Sequence, residues 1–202
     1  MDEWLARKDA LEAKLQPQRI RATLAFAGLY QMTHQLIKEA VLDEVRQFYW
    51  VGFDETGHLY DDERYKTDVL SLAGAGKNQK FKASLAWLVK SGAITQAQAD
   101  RLDDIYDHRH DLTHELMKYI VDPDFEPDVD LFGDALQILA AIRRYWTQIE
   151  IEIGTFDDRP DVTVDDVVPG TLLVLQMFIE AYAAGLPDGE ERPEQPAGDD
   201  TG

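Results

Sequence analysis

The chain has 202 residues, 45% of them hydrophobic and 10% aromatic, enough apolar material to bury a core and too much for disorder throughout. It has no cysteine, which excludes disulfides, thiolate zinc clusters and a cysteine nucleophile. A formal net charge of -19 opposes broad attraction to nucleic-acid backbones or anionic membranes.

Residues 2–15 place Trp4, Leu5, Leu11 and Leu15 on a charged background, the pattern of a short amphipathic helix. The acidic start Met1-Asp2-Glu3-Trp4 is unlike a secretory leader, so a cytoplasmic location is expected. After Pro17, apolar residues recur at helical spacing from Ile20 to Phe48 and predict one long helix over 18–51. The acidic, aromatic run 53–65 reads as a loop, with a hairpin as the alternative, and 68–72 as a short turn.

Residues 78–90 predict a helix ended by Gly92, and Thr95 with Gln98 forms a capping box opening the next. That helix is expected to run from Gln96 to about Ile120 and to end at Asp122-Pro123. A further helix is expected over 130–153, stopped by Gly154. Pro169 suits the start of a last helix through Ala184, read as a core helix because Gln176 and Glu180 interrupt an otherwise apolar run too short to span a membrane. From 186 onward proline, glycine and acid dominate, the composition of a disordered tail. The expected architecture is all-α: one helical bundle domain over 1–185, with four long helices and short accessory ones.

Charge is uneven along the chain. Residues 76–101 carry five basic side chains against one acidic, with Lys77, Lys80 and Lys82 as a candidate anion-binding stretch, whereas 102–136 carry two against eleven. Gly74-Ala75-Gly76-Lys77 is not a phosphate loop, because Ser71 and Asn78 stand where its first glycine and its magnesium-binding hydroxyl belong. The acidic stretch 122–134 lacks the glycine and closing glutamate of an EF-hand. Burial is expected for the tryptophans Trp4, Trp50, Trp87 and Trp146.

The sharpest local signal is Arg109-His110-Asp111-Leu112-Thr113-His114. Arginine, a polar residue, three more residues and histidine resemble the Arg-polar-x(3 to 5)-His signature of the HEPN superfamily of small helical bundles. Phe81, Leu85, Leu88, Gly92 and Ile94 ahead of the motif resemble the family too, and the likeness covers roughly 75–185. The resemblance implies a metal-independent endoribonuclease, a homodimer needing no cofactor, with a cognate antitoxin or other partner protein and a place in a toxin-antitoxin pair or in phage defence. It implies that His114 moves the proton, that Arg109 grips the phosphate and that His110 orients phosphate or ribose. Five residues at about 100° each set Arg109 and His114 about 140° apart on a straight helix, so convergence requires a bent side chain, a distorted helix or a second subunit.

Three other readings of these residues stand beside it. A non-catalytic helical module could bind a protein or nucleotide partner through the same cleft. Arg109 could pair with Asp104 or Asp107 while His114 packs between helices. His110 and His114, at i and i+4, could hold a metal, but Asp111, Glu115 and His108 complete that site poorly and no metal is expected.

Overall fold

The computed structural model describes residues 2–55, 57–76, 78–159 and 161–186. These form eight α-helices and one two-stranded sheet: α1 (Asp2–Lys14), α2 (Pro17–Gln47), β1 (Trp50–Asp54), β2 (Gly57–Tyr60), α3 (Asp62–Asp68), α4 (Gln79–Lys90), α5 (Gln96–His114), α6 (Leu116–Val121), α7 (Val129–Glu152) and α8 (Gly170–Ala184), with 3-10 turns at Leu70–Leu72 and Val164–Asp166. The protein is mostly helical. No helix among the described residues is long and apolar enough to cross a membrane. The stretch read as a disordered tail lies, from 187 on, outside the described residues.

Helix ends follow local chemistry. Thr95 and Gln98 cap α5 reciprocally: the Thr95 N–H donates to Gln98 Oε1 at 2.9 Å, and the Gln98 N–H to Thr95 Oγ1 at 3.2 Å. α4 and α7 end alike. Gly92 and Gly154 have φ of 80° and 86°, and each lets the next residue's N–H reach back five residues, Ala93 to Leu88 and Thr155 to Glu150, satisfying carbonyls the helix leaves open.

Four expectations are corrected. The stretch read as a loop holds the antiparallel hairpin β1-β2, whose register is broken between Trp50 and Gly52. It also holds the start of α3, where Asp61 accepts from the Arg64 N–H at 3.0 Å and acids occupy the first turn, as the positive end of a helix favours. Trp87 is buried as expected, but Trp4 and Trp50 are exposed. α8 is not a core helix, since within it only Leu175 and Ile179 are buried.

The fourth correction concerns the helix that carries the motif. α5 stops at His114, and Glu115, at φ -114°, separates it from α6. Tyr119 donates its hydroxyl to Asp111 Oδ2 at 3.0 Å. On a straight helix residues eight apart are separated by about 12 Å along the axis, so this contact belongs with a turn of the chain at 115.

The chain divides into two compact units, with boundaries inside α2, α5 and α7. The first comprises the described residues of 2–34, 103–137 and 170–186. Its core contains Phe26, Tyr30, Ile105, Leu112 and Phe132, and the Phe26 and Phe132 rings meet at 5.2 Å. The second comprises residues 35–102 and 138–169. Val41, Val45, Leu88, Leu139 and Ile142 are buried there, and Trp87 stacks on Trp146 at 5.9 Å. Arg143 makes an ion pair with Glu44 within that unit.

Candidate functional site

The motif residues lie on the last turns of α5, in the first unit. Leu112 points into the core and fixes the rotation of the helix. His110 and His114, four residues apart, therefore share an outer face. Both are exposed, and their rings lie 4.3 Å apart, centroid to centroid. Tyr106, one turn earlier, stacks on His110 with its ring 6.4 Å away and inclined by 17°.

Arg109 is half-buried and takes another direction. Its Nε donates to Oε1 of Gln31 on α2 at 2.5 Å. The partner is a neutral amide 78 positions away, on a different helix from Asp104 and Asp107. The bond engages Nε, one of the five N–H donors of a guanidinium, whose terminal nitrogens form the fork that suits an oxyanion.

Behind these residues lies a second polar group. His108 is half-buried, edge-on to Tyr30 at 5.2 Å and to Tyr119 at 5.9 Å. Its Nε2 accepts the Asp128 N–H at 3.1 Å, and the Asp128 side chain in turn accepts from the Leu131 N–H at 2.8 Å at the start of α7. Burial lowers the His108 pKa below the ordinary histidine value, against the pull of the Asp128 and Asp111 carboxylates. A neutral ring is what accepting a backbone N–H requires. The Tyr119 hydroxyl holds the Asp111 carboxyl below the usual carboxylate range, while burial and then the Asp111 bond push Tyr119 up to about 12.

The arrangement brings His110 and His114 together and sets Arg109 against Gln31. His108 and Asp111 serve the Asp128 backbone, Tyr119 and Lys118, so neither joins the imidazole pair as a metal ligand. No group of three or more histidine or acidic side chains among the described residues is placed to hold a metal ion. Lys80 and Lys82 are exposed on α4, in the second unit; Lys77 lies outside the described residues.

Sequence reasoning missed Gln31, which is 78 positions from Arg109. The available signal is its place as a polar residue between Tyr30, which is buried, and Met32 on a largely apolar helix. It also missed the structural use of His108, because spacing cannot tell which of three neighbouring histidines turns inward. Comparison with known protein families, curated proteins and solved structures finds no match to this chain.

Proposed function

We propose that the chain is a metal-independent endoribonuclease working at the last turn of α5. One observation carries the reading: two exposed imidazoles, with ring centroids 4.3 Å apart, stand one and five residues beyond an arginine whose Nε is held by a neutral amide. Cleaving RNA without a metal needs a base to take the proton from a 2'-hydroxyl, an acid to protonate the departing 5'-oxygen, and a cation for the charge gathering on the phosphorus oxygens. Histidine supplies base or acid near neutral pH, each role typically contributing about 10² to 10⁴ in rate. Arginine supplies the cation with a planar fork of donors.

In this scheme His110 and His114 divide the proton work. The 2'-oxygen bonds to phosphorus as its proton passes to one imidazole; the bond from phosphorus to the 5'-oxygen breaks as the other imidazole gives up its proton. The products are a 2',3'-cyclic phosphate and a free 5'-hydroxyl. Arg109 holds the phosphate through its terminal nitrogens, and Gln31 is a positioning residue that fixes the guanidinium through Nε. A role in a toxin-antitoxin pair or in phage defence follows from the HEPN resemblance alone.

The test is cleavage of single-stranded RNA by the purified chain in EDTA. Cleavage persists under chelation, and Arg109→Ala and His114→Ala each lower it by about 10² to 10⁴ with helicity unchanged. Equal activity in wild type and both variants excludes the mechanism.

One observation favours a second reading. Asp103, Asp107 and Glu115 are exposed around the motif, and the chain carries -19 overall, a field that repels RNA and suits a basic protein partner. In that case the same face is a non-catalytic docking site, and the chain binds a basic partner without cutting RNA.

A further inference from the structure

α8 is the most apolar helix of the protein, yet most of it faces outward. Leu173, Val174, Met177 and Phe178 are 51%, 49%, 61% and 47% exposed, and Ala181 is exposed beside them. Their spacing, with steps of one, three and four, gathers them on one side of the helix in two adjacent rows. Leu175 and Ile179 occupy the opposite, buried side. Roughly half of each of four large apolar side chains is open, on the order of 400 Å², a patch size that marks contact sites on soluble chains.

We propose that this face is where a second copy of the chain docks, with the two α8 helices packed about a two-fold axis. The chain's own C-terminal segment is unsuited to cover it, because residues 187–202 hold six acidic side chains and, prolines aside, a single alanine as their apolar content. Charge argues for a self-contact. Two chains of -19 repel wherever acid faces acid, and the rows at 173, 174, 177, 178 and 181 carry no charge, so here two copies approach without opposing like charges. Two-row stripes at i and i+4 present the ridges and grooves from which helix pairs are built. Burying the patch on both copies removes on the order of 800 Å², about half of a standard interface, so the surface beside α8 supplies the rest and the pairing is reversible.

This inference does not depend on the nuclease reading, and its test needs no RNA. Sedimentation of the full chain from about 1 to 200 μM gives a concentration-dependent monomer and dimer, and added salt strengthens the dimer by screening its repulsion. Met177→Lys weakens dimerisation at least tenfold, whereas Val51→Lys, on the exposed hairpin, leaves it unchanged. Because the chain has no cysteine, single substitutions report contact directly. At least one of Val174→Cys, Met177→Cys and Phe178→Cys forms a disulfide-linked dimer on mild oxidation, and Val51→Cys does not. A chain monomeric throughout, a dimer indifferent to Met177→Lys, or one weakened by salt overturns the proposal. So does a monomer that co-sediments with phosphatidylcholine vesicles, which assigns the face to lipid.

Discussion

Two arginines are held in opposite ways. Arg143, in the second unit, is almost shut from water, with 12% of its side chain exposed, and faces the Glu44 carboxylate. Arg109, in the first, is half-buried and faces the amide of Gln31. The Arg143 pair joins α2 to α7 inside its unit; burial raises the Glu44 pKa from 4.5 to about 7 even though Arg143, next in weight, lowers it, so the carboxylate offsets the guanidinium fully only above that pH. Arg109 meets a neutral amide at Nε in a chain with 39 acidic residues. Partner choice thus separates a guanidinium set against a carboxylate from one held at Nε by a neutral amide.

The sharpest way to break the comparison is to remove the reacting groups. His114→Ala and Arg109→Ala each lower RNA cleavage by about 10² to 10⁴, read as initial rates, with the circular dichroism spectrum unchanged. Gln31→Glu converts the Arg109 contact into the kind Arg143 makes. Cleavage falls by about 10² as the carboxylate takes the guanidinium, whereas Gln31→Leu, which loosens Arg109 without cancelling its charge, costs about tenfold, mainly in kcat. Equal losses in the two variants show that position, not charge, matters at Arg109.

On the other side, Arg143→Met strands the Glu44 carboxyl and destabilises the fold by about 2–3 kcal/mol at pH 8, measured by urea unfolding. The penalty shrinks at pH 5, where Glu44 takes up a proton and no longer needs a cation. In the wild type, the folded pKa of about 7 lies above the ordinary 4.5, so the folded state binds the extra proton between them. Glu44's contribution to stability is complete below pH 4.5 and is lost as pH rises through 7. His108 has the opposite sign and the smallest effect. Its pKa is lowered on folding, so its contribution stands above the ordinary 6.5 and is lost as pH falls below it, when protonation breaks the bond from the Asp128 N–H. NMR titration finds its midpoint below 6.5, and His108→Phe removes that acid limb from the stability curve.

Helix limits were legible wherever one residue type has one local use. Gly92, Gly154 and the Thr95 with Gln98 box stand where spacing and capping chemistry put them. The hairpin was hidden because both of its strands are largely exposed and a register break interrupts the period of two, leaving no inward and outward alternation to read. α3 was hidden because Asp61, Asp62 and Glu63 look like a solvated loop until their place at a helix start is known. The break at Glu115 depends on a contact eight residues long, and the outward face of α8 on tertiary placement; neither leaves a mark in periodicity.

For the site, i and i+4 spacing was enough to pair His110 with His114. The partner of Arg109 was not legible, because a hydrogen bond spanning 78 positions follows from how α2 and α5 pack inside their unit and not from any local pattern.

The most direct measurement is the single-turnover pH–rate profile of RNA cleavage in EDTA, for the wild type and for His110→Ala. The account predicts a bell for the wild type, one limb from an imidazole that must be neutral and one from an imidazole that must be protonated, with a limb lost in the variant. A wild-type chain that does not cut RNA, or a bell that His110→Ala leaves intact, contradicts it.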